Sequence, residues 1–87
     1  MNNREILNKL HEFIVSNSDG VNLNIVDNDT NLIDAGILDS LLMVMLVTFC
    51  EEEFQLEIDT DEITEENFES LKTIADFLST CQNRQDR

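Results

Sequence analysis

Asp34-Ala35-Gly36-Ile37-Leu38-Asp39-Ser40-Leu41-Leu42-Met43-Val44-Met45-Leu46-Val47-Thr48-Phe49-Cys50, followed by Glu51-Glu52-Glu53-Phe54, is the stretch that decides the fold. The apolar run is too long for an ordinary strand and holds no turn residue. It is shorter than the ~20 apolar residues needed to span a bilayer. A buried helix of about four turns is the assignment that remains. Asp39 and Ser40 are short, oxygen-bearing residues that accept from the free N–H groups of a first helical turn. Gly36, just before them, lets the chain bend where other residues resist. Met43, Leu46, Val47, Cys50 and Phe54 fall at helical spacing and form a core-facing stripe. Leu41, Val44, Met45 and Thr48 fall on other sides. One helix of an 87-residue chain is not covered all round, so apolar side chains beside Ser40 are expected at the surface, where a patch of this kind marks a partner site.

Working backwards, Asn2 or Asn3 caps a first helix that runs to about Ser16, with Ile6, Leu7, Leu10, Phe13 and Ile14 as its apolar stripe. Ser16-Asn17-Ser18-Asp19-Gly20 stops it. Val21 to Leu38 is then a long connection, and loops beyond ~12–15 residues need side chains to pin them. Val21, Leu23, Ile25, Leu32, Ile33, Ile37 and Leu38 are the expected pins, with a short helical turn near Asn31-Leu32-Ile33. Asp27-Asn28-Asp29-Thr30-Asn31 imitates the start of a calcium loop, but Leu32 stands where that loop requires Gly and Leu38 where it requires a bidentate Glu. No metal site follows from it.

Working forwards, Gln55-Leu56-Glu57-Ile58-Asp59 is extended, with Leu56 and Ile58 pointing inward. Thr64 caps a short helix from Glu65 to Phe68, and Ser70 caps a last helix from Leu71 to about Thr80. Its stripe is Leu71, Ile74, Phe77 and Leu78. Residues 81–87 read as a polar, frayed tail. The expected fold is all-α: a small bundle of three main helices plus one short helix, with a long loop between the first two. It forms a single domain over residues 1–87, with its core over about 3–80.

Charge narrows the functions. Five basic residues stand against nineteen acidic ones, a net charge of -14, and no Lys or Arg occurs between Lys9 and Lys72. Nucleic acid needs a basic, phosphate-facing surface, so it is excluded as a partner. Docking on an anionic membrane is excluded on the same ground. Basic patches on partner proteins are favoured instead. No signal peptide or membrane-spanning segment is read, and Cys50 and Cys81 suit reduced thiols of a cytoplasmic protein. His11, the lone histidine, has no Cys or Ser neighbour in a catalytic sequence pattern and reads as a surface or boundary residue. An enzyme is not expected.

An Asp-Ser pair alone is only a helix cap. Leu32-Ile33-Asp34-Ala35-Gly36, then Asp39-Ser40-Leu41, then an apolar helix ending in Glu51-Glu52-Glu53-Phe54, together resemble the acyl carrier proteins and peptidyl carrier domains. Ile63-Thr64-Glu65-Glu66-Asn67-Phe68-Glu69-Ser70-Leu71 resembles the short-helix region of the free-standing members. The resemblance implies that a phosphopantetheinyl transferase attaches 4'-phosphopantetheine from coenzyme A to Ser40, flanked by Asp39. The arm's thiol then holds an acyl or aminoacyl group as a thioester. Implied partners are that transferase, an adenylating acyl or aminoacyl ligase, and a downstream acyltransferase, synthase or condensing enzyme. The chain itself is expected to be a monomer. Leu41, Val44, Met45, Glu51 and Glu52 are the expected docking residues. Leu42, Met43 and Met45 are more apolar than the fatty-acid-type pattern. With Ile37-Leu38-Asp39-Ser40-Leu41 and Glu66-Asn67-Phe68-Glu69-Ser70, the likeness leans to discrete carriers of secondary-metabolite or aminoacyl/acyl-transfer pathways, over a fatty acid synthesis or D-alanyl carrier. A carrier-like interaction module that is never modified is the alternative.

Overall fold

The structure is a computed structural model that describes residues 3–17 and 27–85. Three long helices form it: α1 (Asn3–Asn17), α2 (Ser40–Phe54) and α3 (Leu71–Gln85), with a one-turn 3-10 helix at Thr60–Glu62 between the last two. No strand occurs among the described residues.

α1 buries Ile6, Leu10 and Ile14, four residues apart on one face. The Ser79 hydroxyl of α3 donates to Asn3 Oδ1 at 2.7 Å, which ties the start of α1 to α3. Lys9 pairs with Glu53, and the Phe13 and Phe49 rings stack with centroids 4.5 Å apart. As α1 advances from 9 to 13 its partners retreat from 53 to 49, so α1 and α2 run antiparallel.

The connection into α2 is pinned as expected where it is described. Leu32 and Leu38 are buried, and Ile33 and Ile37 pack against the core. The expected pins Val21, Leu23 and Ile25, and the turn at 18–20, lie outside the described residues. Around Leu32 the chain makes a capped helical turn. Asn31 Oδ1 accepts from the N–H groups of Ile33 and Asp34 at 3.1 and 2.9 Å. Gly36, at φ +74°, ends the turn: its N–H donates to the Ile33 carbonyl and the Ile37 N–H to the Leu32 carbonyl. This is a Schellman closure, whose left-handed residue is normally glycine. The Leu32 N–H donates to the Glu69 carbonyl at 2.7 Å, and the Lys72 N–H to the Asn28 carbonyl at 3.0 Å. The loop is thereby fastened to the head of α3.

Three expectations are corrected. The segment 65–68 is a turn rather than a helix. Thr64 does cap it, its hydroxyl accepting from the Asn67 N–H at 3.2 Å. The Asn67 amide, however, donates back to the Glu62 carbonyl at 2.8 Å, and Phe68 drops into the core. The short helix lies earlier, at Thr60–Glu62. Second, α3 does not stop near Thr80 but continues to Gln85. Cys81 is fully buried, because it extends the Leu71-Ile74-Leu78 row by one more helical step. Third, α2 buries Leu42, Leu46, Val47, Cys50 and Phe54, so Leu42 takes the core place expected for Met43, which is only half-buried.

Ser70 caps α3 reciprocally. Its hydroxyl accepts from the Thr73 N–H at 3.2 Å, and its own N–H donates to Thr73 Oγ1 at 3.0 Å. This is a capping box with Thr in the place of the usual acid.

Candidate functional site

The site is built at the N-terminus of α2. Asp39 is the N-cap, with extended backbone (φ -106°, ψ -176°). Its Oδ1 accepts from the Leu42 N–H at 2.8 Å. Ser40 is therefore the first helical residue and not the cap, and both it and Asp39 are exposed. Fastened at Leu32 and closed by Gly36, the preceding loop delivers the hydroxyl to a fixed place at the helix mouth.

Three large apolar side chains stand open beside it: Leu41 70% exposed, Val44 64% and Met45 40%. Ser40, Leu41, Val44 and Met45 thus share one surface. Of the two acidic residues expected with them, Glu52 is exposed and Glu51 half-buried. Glu51 Oε2 accepts from the Ile58 N–H at 3.0 Å and so holds the extended segment after α2. That bracing role gave no signal in the sequence, since the contact spans a helix end and an irregular strand-like segment.

Two features bear on chemistry. Lys9 and Phe13, on either side of His11, meet Glu53 and Phe49. His11 is thus level with the second half of α2, about 15 Å of helix rise from Ser40. That separation keeps His11 from serving as a base on the Ser40 hydroxyl. Among the described residues no cluster could hold a metal ion, and no helix is long and apolar enough to cross a membrane.

A phosphodiester-linked arm fits this end of the molecule. The serine oxygen is accessible, its neighbours leave room, and a helix N-terminus offers N–H dipoles to an anion. Asp39, by taking the Leu42 N–H, keeps the first turn formed while leaving the Ser40 oxygen free of the capping duty.

An all-helical bundle with an exposed serine at the mouth of its most apolar helix has the architecture of acyl-carrier-like bundles. The family model for the phosphopantetheine attachment site matches residues 14–78, a span that includes Ser40. The chain belongs to that family, whose members carry 4'-phosphopantetheine covalently. It is also similar to a chain in a solved structure described as the crystal structure of an FAD-dependent dehydrogenase. That likeness is 32% identical, with a TM-score of 0.71, over 79% of this chain and 97% of that one. No curated protein matches.

Proposed function

We propose that Ser40 is the attachment point of the phosphopantetheine arm, and that the chain carries acyl or aminoacyl groups between enzymes as thioesters. The carrying observation is the exposed hydroxyl on the first residue of α2, within the family match and beside uncovered Leu41, Val44 and Met45. When bound, the arm supplies a flexible thiol, and the tether keeps its cargo at high effective concentration near a docked enzyme. The chain's own residues do the rest. Asp39 fixes the helix mouth, and Ser40 provides the oxygen that is esterified. Leu41, Val44 and Met45 supply the apolar contact for docking, with Glu52 and the half-buried Glu51 adding charge that speeds encounter with basic partner surfaces.

The partners are a phosphopantetheinyl transferase, an adenylating ligase that selects the cargo, and a downstream enzyme acting on the tethered group. One candidate for that last partner has a specific support. The similar chain from the FAD-dependent dehydrogenase structure is itself carrier-sized, being covered over 97% of its length by part of this short chain. A flavin enzyme that oxidises a tethered thioester cargo therefore enters as the downstream partner, which suits a secondary-metabolite pathway. The protein is read as one carrier domain, a cytoplasmic monomer without catalysis of its own.

The test is intact mass after incubation with coenzyme A and a broad-specificity phosphopantetheinyl transferase. A gain of one phosphopantetheine, lost in Ser40→Ala while the helical circular dichroism is kept, is the expected result. No gain with an active transferase overturns the reading and leaves an unmodified interaction module.

A further inference from the structure

We propose that the fold withdraws both of the chain's own thiols, Cys50 and Cys81, from the acyl-transfer chemistry at Ser40, so that in the loaded protein the arm bears the one reactive thiol. The inference rests on the carrier reading for its purpose, but on the core alone for its physical content.

A thioester carrier faces a hazard that an oxygen-ester carrier does not. A cysteine thiolate within reach attacks the thioester carbonyl and forms a new thioester on its own sulfur. The arm's thiol leaves as thiolate, and one proton is exchanged with solvent. No electrons are gained or lost, so no oxidant is needed. The tether makes the danger worse, because it raises the effective concentration of any reachable thiol to roughly the millimolar range. Cys50 lies on the same helix as Ser40, about 15 Å along its axis at 1.5 Å per residue.

Both cysteines of the sequence are free, and both have 0% of their surface exposed. Cys50 is on the inward row of α2 with Leu46 and Phe54, and Cys81 extends the inward row of α3 beyond Leu78. Each thiol is therefore closed off by the hydrophobic core it belongs to. Burial also pushes the Cys50 thiol up to about 12, with the neighbouring Cys81 and Glu51 adding to the effect. Since the thiolate is the nucleophile, almost none is present at neutral pH while the core is closed. Burial thus blocks access to both sulfurs, and at Cys50 it also suppresses ionisation. The contrast within α2 is plain: Leu41 and Val44, uncovered at the Ser40 end, are positions where a thiol would have neither protection.

The experiment is alkylation with iodoacetamide at pH 8, followed by intact mass. In the native protein without its arm, Cys50 and Cys81 are expected to react at least about a thousandfold more slowly than in denaturant, the factor set by a typical small-domain stability of ~5 kcal/mol. Native alkylation of either cysteine within tenfold of the denatured rate overturns the proposal. The engineered variant Val44→Cys serves as the exposed reference and is expected to react at close to the denatured rate. In a second arm, an acyl-loaded wild type and a loaded Cys50→Ala, Cys81→Ala double variant are expected to lose the acyl group from the arm at the same rate. Longer acyl retention in the double variant overturns the proposal. The first arm needs no loading, so protected thiols in a protein that never accepts phosphopantetheine would sink the carrier reading and leave the core measurement standing.

Discussion

Leu41 and Leu42 are neighbours of identical chemistry in the first turn of α2, yet one is 70% exposed and the other 6%. The same division runs down the helix. Leu46, Cys50 and Phe54 disappear into the core, while Val44 and Met45 remain outside. Composition does not separate the two faces, because both are apolar. What separates them is the position of α1, α3 and the loop at Leu32 and Leu38, which cover one side only. The inner face therefore contributes stability and the outer face is left for other molecules. Burying one large aliphatic side chain stabilises by about 1.5–3 kcal/mol. The outer residues leave that contribution unrealised in the free protein and available on docking.

The largest expected effect breaks or upholds this division directly. Leu42→Ala is expected to destabilise by about 2–5 kcal/mol, the range for emptying a buried leucine site. Leu41→Ala is expected to stay within about 0.5 kcal/mol of the parent. Urea midpoints at matched m-values measure both. Equal losses in the two variants would remove the distinction between the faces.

The next effect tests the outer face for binding. Leu41→Asp and Val44→Asp are expected to keep the parent circular dichroism and to lower the rate of loading by a phosphopantetheinyl transferase at least about tenfold, equivalent to ~1.4 kcal/mol of lost contact. Normal loading by both folded variants would withdraw the docking role. Leu42→Asp offers no such separation, since it places a charge in the core and the protein is expected not to fold.

The inner face also carries a pH signature. Burial raises the Cys50 thiol from the ordinary value of about 9 to about 12. Above pH 9 the unfolded chain has shed this proton and the folded chain still holds it. Folding then binds protons, and stability falls with rising pH by up to about 1.4 kcal/mol per unit for this group. Below pH 9 the group adds no slope. Cys50→Ala is expected to start from lower stability but to show a shallower decline between pH 9 and 11. An unchanged slope in urea titrations would mean that the Cys50 sulfur is not held in the dry interior.

Much of this architecture was legible in the residues. Ile6, Leu10 and Ile14 announced α1, Asp39 announced the start of α2, and Ser70 that of α3. Each of these is a strong local signal, a clean stripe or a cap. The exposed trio Leu41, Val44 and Met45 was readable too, because a helix apolar all round in a short chain must leave some side uncovered. What escaped depended on packing at a distance. The phase of α2 is ambiguous in the residues, since an apolar run with no polar side gives no preferred direction, and Leu42 rather than Met43 takes the core place. The end of α3 is hidden in the residues because Gln82 and Asn83 read as a tail, whereas Cys81 carries one more inward step. The segment from Glu62 to Phe68 holds turn formers and acids in quantity. Only the tertiary hold on Phe68 and Asn67 decides where its single helical turn falls. At the site, the Ser40 position was readable, but the division of labour between Asp39 as cap and Ser40 as first helical residue needed the backbone.

The smallest expected effect lies at the opposite end of α2. Gln55 closes the helix in the left-handed region, at φ +52°, and its N–H donates to the Glu51 carbonyl. A side chain in that region is strained by contact between Cβ and the backbone, whereas glycine is not. Gln55→Gly relieves the strain and adds chain entropy to the unfolded state, so the two terms partly cancel. The net is expected to be a gain of about 0.5 kcal/mol. Gln55 lies a whole helix away from Ser40, so loading by the transferase is expected to be unchanged. A folding gain without a loading change would separate the two ends of α2 as the inner and outer faces are separated. A change in loading would instead show that the far end of the helix communicates with the serine, most directly through Glu51, whose carbonyl receives the Gln55 N–H while its carboxylate holds the Ile58 N–H.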